Sequence, residues 1–129
     1  MKKIKRNYFK HCILNRPQLI GLMAHLVQGE FIAQETNEQD FLYFFTGMGD
    51  EPEAKLQWNS SVILLAIYIK AIGDPNYRPE WCVAENVFEG VKASSLCDNY
   101  SKPYSNDSSR SFETFFENKK RIEALIADL

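Results

Sequence analysis

The sequence predicts a mainly α fold with a minor β element (α+β), a small helical domain arranged around a buried helix near residues 60–72. Three observations carry that expectation. The eight residues from Val62 to Ile69 hold no charge, and a helix that is apolar on every side must be wrapped by other elements of a globular chain. Apolar residues recur at intervals of three and four over Leu19–Val27 and again over Phe112–Leu129, the spacing of a helix face. Clusters of Gly, Pro, Asn, Asp and Ser separate these segments and leave one short run, Lys55 to Trp58, with strand-like length and character.

Taken in order, Ile4, Tyr8, Cys12 and Ile13 fall at helix-like spacing, although Tyr8-Phe9 could equally open a strand. Asn15-Arg16-Pro17 reads as a helix start, since the N–H that proline lacks has no intrahelical partner in a first turn. Leu19, Leu22, Met23, Leu26 and Val27 then form one face, and Gly29 is a terminator. Asn37 is placed to cap a short helix through Thr46 that carries Phe41, Leu42, Phe44 and Phe45, with Gly47 ending it. After the Lys55–Trp58 strand, Asn59 and Ser60 are candidate caps for the central helix. Pro79 opens a helix bearing Trp81, Ala84, Val87 and Phe88 and ending near Gly90; Ser94 then caps a short piece containing Leu96 and Tyr100. Residues 102–110, rich in Ser, Asn and Asp, are expected to be a mobile polar loop before a long terminal helix.

At 129 residues, 45% hydrophobic and 25% charged, the chain suits one domain, 1–129, with enough apolar mass for a core and no compositional sign of disorder. Charge is unevenly spread. Residues 1–28 carry six cations and no acid, concentrated in a basic N-terminal segment at 1–16, and the rest of the chain has a formal charge of −8. Such a segment can reach for nucleic acid or lie against the acidic body of its own domain. The longest apolar run is far short of the ~20 residues that span a bilayer, so no membrane association is expected. Polar residues interrupt any signal-peptide core after Met1-Lys2-Lys3. Cys12, Cys82 and Cys97 are odd in number and widely spaced, as reduced thiols in a cytoplasmic protein would be.

Chemistry-bearing motifs are scarce. Metal sites need Cys, His or acids converging at short spacing, and only His11-Cys12 are adjacent, so no metal and no other cofactor is expected. Gly47-Met48-Gly49 follows a helix and precedes acids, which excludes a phosphate-cradling loop. Cys97 is the one thiol that could sit close to a helix N-terminus, where thiols ionise more easily, but no histidine lies near it in sequence. Acid pairs such as Glu51/Glu53 and Glu85/Glu89 read as solvated faces. The chain is therefore expected not to be an enzyme, and no small-molecule ligand is evident.

Residues 84–102 have the outline of a helix-turn-helix, with Gly90 near the turn and Val91 and Leu96 facing inward. Lys92, Ser95, Asn99 and Lys102 then face outward as candidate DNA contacts, because Lys neutralises phosphates and Asn can read base edges. That arrangement suggests a winged-helix-like unit, opposed by Glu80, Glu85 and Glu89 on the preceding helix.

Leu56-Gln57-Trp58-Asn59-Ser60-Ser61, followed by Leu64-Leu65, Ile69 and Ile72, resembles the strand-to-helix signature in the C-terminal domain of RteC-type regulators of conjugative elements. Phe88 and Phe115-Phe116-Glu117-Asn118-Lys119-Lys120-Arg121 look like their downstream pattern, so the likeness spans residues 55–129. Asn59 and Ser60 stand where that pattern prefers Gly and Ser. The resemblance implies a winged-helix-like regulatory domain of a mobile element and transfers no site residue. The expected function is a non-catalytic DNA-binding accessory. The alternative is a module that forms a homodimer through Phe41–Phe45 or the terminal helix, without nucleic acid.

Overall fold

The computed structural model describes residues 6–105 and 109–129, with side chains described over 6–101 and 113–129. The fold is mainly helical, with six helices among the described residues: α1 (Arg16–Gln28), α2 (Glu38–Thr46), α3 (Val62–Ile72), α4 (Trp81–Val87), α5 (Ala93–Ser105) and α6 (Ser109–Ala127). Helix α3 lies at the centre. It packs against α5 and α6, α1 packs on α2, and α4 on α5. Leu65, Ala66, Ile67, Tyr68, Ile69 and Ile72 of α3 are buried, as the uncharged run requires. Each large apolar side chain so enclosed contributes about 1.5–3 kcal/mol before the entropy of ordering it is counted. These residues belong to one core cluster with Leu19 and Leu22 of α1, Phe41 and Phe44 of α2, Leu96 of α5 and Phe115 of α6.

The helix starts follow the sequence closely. Asn15 and Gln18 form a reciprocal capping box at α1. The Asn37 side chain accepts from the backbone N–H groups of Gln39 and Asp40 at 2.8 and 3.2 Å. Helix α3 is capped by Ser61, one residue beyond the predicted pair; its Oγ accepts from the Leu64 N–H at 3.4 Å. Gly47 ends α2 in the left-handed conformation, with φ 77°. Gly29 ends α1 as predicted, with φ −81°, and the left-handed residue is the next one, Glu30, at φ 61°.

The predicted minor β element takes another form. No helix and no paired strand forms over 6–14; the segment is irregular, bends at Tyr8, Lys10 and His11, and makes one isolated bridge, Cys12 to Gly73. Two of its backbone donors go to the ends of helices, where carbonyls lack intrahelical partners. The Phe9 N–H donates to the Phe44 carbonyl of α2 at 2.7 Å, and the Ile13 N–H to the Ile72 carbonyl of α3 at 2.8 Å. Residues 55–58 behave alike. Only isolated bridges occur there, Leu56 to Phe88 and Ile32 to Trp58, and the Leu56 N–H donates to the last carbonyl of α4, that of Val87, at 2.8 Å. Both segments cap helices and build no sheet among the described residues.

The expected mobile loop at 102–110 also differs. Residues 102–105 continue α5 and 109–110 open α6, while 106–108 lie outside the described residues. Pro103 falls in the last turn of α5, where it withholds a single intrahelical hydrogen bond. The helix is carried that far by packing: the Tyr100 ring meets Trp81 at 5.9 Å and Phe115 at 5.5 Å. Leu96 beneath it is fully enclosed.

Candidate nucleic-acid interface

Helices α4 and α5 are joined by five residues, Phe88 to Lys92, with Gly90 at φ 72° turning the chain. Val87, Phe88, Val91 and Leu96 are buried along the joint and fix one helix against the other. The predicted cap Ser94 lies inside α5. The cap comes from the preceding helix, where Glu85 Oε1 accepts from the Ala93 N–H at 3.2 Å. An acid that read as a solvated face therefore has a structural task, and it also places negative charge at the N-terminus of α5, where a phosphate would otherwise be favoured.

Lys92, Ser95, Asn99 and Lys102 fall at intervals of three and four, which puts their positions on one side of α5. Lys92 is exposed, while Ser95 and Asn99 are half-buried. Asn99 is partly committed within its own helix: its Nδ2 donates to the Ser95 carbonyl at 2.7 Å and approaches the Ser95 Oγ at 3.5 Å. Lys102 lies on α5, with its side chain outside the described residues. Among the three opposing acids, only Glu89 is exposed. Glu80 is turned to the N-terminal segment. Its carboxylate accepts from Arg6 Nη2 at 2.8 Å, the His11 N–H at 2.7 Å and the Lys10 N–H at 3.2 Å. Part of the basic segment thus lies on the body of the domain, and residues 1–5 lie outside the described residues.

His25 Nε2 sits 3.0 Å from the Tyr68 hydroxyl, and burial pushes the Tyr68 hydroxyl above its ordinary range, with Arg121 opposing. Cys12 is half-buried and its thiol is pushed up to about 11, chiefly by desolvation. Cys97 is exposed, one turn into α5. The cavity beside Cys12, His11 and Glu80 has a volume of ≈ 10 Å³, room for about one water. An open groove of ≈ 450 Å³ runs past Arg16, Asp40, Leu42, Met48 and Asp50. Nothing in the sequence signalled it, because its walls come from α1, α2 and the loop after Gly47. Among the described residues, no three His, Cys, Asp or Glu side chains are placed to hold a metal ion. No helix among them is long and apolar enough to cross a membrane.

Glu80 is the residue that sequence reasoning missed most plainly. It read as one acid among three on a helix, and its partners lie 69 to 74 positions away. Comparison with protein-family models, with curated proteins and with solved structures finds no match to this chain.

Proposed function

We propose that the protein is a non-catalytic, cytoplasmic binding domain that contacts DNA through the side of α5 that carries Lys92, Ser95, Asn99 and Lys102, in the manner of a winged-helix-like regulatory accessory. The observation that supports this reading is the α4–α5 pair: two packed helices, a short turn with a left-handed glycine, and Lys92 exposed where the second helix begins. The pairing of Glu80 with Arg6 and with the His11 N–H lessens the acidic opposition from that residue, while Glu85 keeps its charge at the N-terminus of α5. The likeness of residues 55–129 to RteC-type regulators of conjugative elements suggests the same context.

The test is fluorescence anisotropy with a labelled duplex, titrated at roughly 50 mM and roughly 200 mM salt. DNA binding predicts affinity that falls steeply between the two salt concentrations. Lys92→Glu should weaken binding about tenfold at the lower salt and reduce the salt slope by about one. No binding at the lower salt, or binding indifferent to Lys92→Glu combined with Lys102→Glu, rejects the reading. The alternative homodimer loses its first proposed surface, since Phe41, Leu42, Phe44 and Phe45 are all enclosed by the chain's own core.

A further inference from the structure

The last turn of α3 carries Lys70, the sole charge in that helix, and a cation is favoured there because a helix ends in partial negative charge. The packing of α6 on α3 brings a second ammonium to the same place. Lys70 and Lys119 line one cleft, ≈ 300 Å³ in volume, where α3, α5 and α6 meet Ile13 and the loop after α3. Both lysines are half-buried, and Lys70 has no carboxylate within ion-pair distance among the described residues. One acid, Glu123, also borders the cleft, but it is exposed, so the half-buried charge there is positive. Much of the remaining lining is apolar or aromatic: Ile67, Ala71, Pro75 and Tyr100. Ile67 is 1% exposed and belongs to the core, whereas Ile13 is 54% exposed, so the apolar lining runs from the core out to the surface.

Two like charges held by separate helices beside apolar surface repel one another more than they would in open water. An anion between them relieves that repulsion, and an apolar body attached to it takes Ile13, Ala71 and the Tyr100 ring out of water. A bare phosphate would use the lysines and leave the apolar lining wet. The volume lies at the small end of the range for small-molecule sites. We propose that this cleft binds an amphipathic monocarboxylate, with its carboxylate at Lys70 and Lys119 and its hydrocarbon chain along Ile13, Ile67 and Tyr100. None of Lys92, Ser95, Asn99 and Lys102 borders the cleft, so this site and the DNA contact stand or fall separately.

The probe is decanoate, held below its micellar concentration and titrated into the isotope-labelled full chain while amide shifts are followed by NMR. The Ala71, Gly73, Tyr100 and Lys119 amides should move together and saturate. Decylammonium, with the same chain and the opposite charge, should bind about tenfold more weakly or worse, and inorganic phosphate should leave those amides unmoved. Lys70→Gln combined with Lys119→Gln should weaken decanoate about tenfold and keep the helical circular dichroism. Lys120→Gln, which removes a cation outside the cleft, should bind as the wild type does. Ile13→Asn, at a position already open to solvent, should weaken decanoate about fivefold. Overturning results are a decanoate titration without saturable shifts, equal affinity for decylammonium, or undiminished affinity in the double variant and in Ile13→Asn. Phosphate that moves the same amides as strongly as decanoate also rejects the site, since the apolar lining would then contribute nothing. Should the double variant lose its helical signal, Ile13→Asn and the comparison of decanoate with decylammonium decide.

Discussion

Cys12 shows how far a residue's properties can depart from its place in the sequence. Its folded thiol sits at about 11 against an ordinary 9.0; desolvation raises it most, a backbone hydrogen bond at Leu14 opposes, and the Glu80 charge adds to the rise. Because folding favours the protonated thiol, the stabilisation is fully present below pH 9 and is lost as pH rises through about 11. Urea midpoints measured from pH 9 to 11 should therefore fall by on the order of 2 kcal/mol in stability, and Cys12→Ala should flatten that decline. Tyr68 and Tyr43, both raised by burial above 10.0, should keep a further loss at higher pH in that variant. Iodoacetamide at about pH 8 should label the exposed Cys82 and Cys97 well ahead of Cys12. Equal labelling of the three would show Cys12 to be open to solvent. None of this was legible in the sequence, where Cys12 is one apolar position in a basic run and its neighbour in charge lies 68 residues on.

Helix starts were legible because a cap is a local device: Asn15 with Gln18, and Asn37 with its two following N–H groups, sit within three residues of one another. The treatment of helix ends was not, because their carbonyls are met by non-helical segments from elsewhere. The runs at 6–14 and 55–58 looked like a helix or strand and a strand in turn, yet they serve as caps for α2, α3 and α4. Two of the three positive-φ glycines among the described residues separate local from tertiary constraint. Gly90, at φ 72°, has open space where a Cβ would go, so Gly90→Ala should cost only the backbone penalty, about 1 kcal/mol. At Gly47, φ 77°, an added Cβ would stand 2.7 Å from the Tyr8 ring, which meets Tyr43 edge-on at 5.9 Å. Gly47→Ala should cost roughly twice as much, since the ring and the segment carrying it must also shift. Thermal or urea melts of the two variants check this; equal losses would mean that Tyr8 does not rest against α2.

For the molecule as a whole, the centre of the fold was readable from one uncharged run, and the partition of its aromatic residues was not. A helix with aromatic bulk on two adjacent faces, Phe41 to Phe45, fits an exposed sticky surface or an interior position equally well until the surrounding segments are placed. The chain encloses all five consecutive residues, Phe41, Leu42, Tyr43, Phe44 and Phe45, with α1 packed on α2 and Phe9 laid on Phe45. The two possibilities give opposite outcomes for one substitution. At an interface, Phe45→Asp would divide a dimer into folded monomers. In a core, it removes about 3–5 kcal/mol of ring packing and strands a carboxylate away from water, a loss comparable to the whole stability of a domain. Sedimentation velocity and circular dichroism of Phe45→Asp should therefore show loss of helical signal at 25 °C. Phe45→Leu, which keeps an apolar side chain of nearly the right size, should stay folded with a urea midpoint lowered by about 1–2 kcal/mol. A Phe45→Asp variant that keeps the wild-type midpoint and changes only its sedimentation would place that ring at a surface between chains and remove the seat on which Phe9 rests.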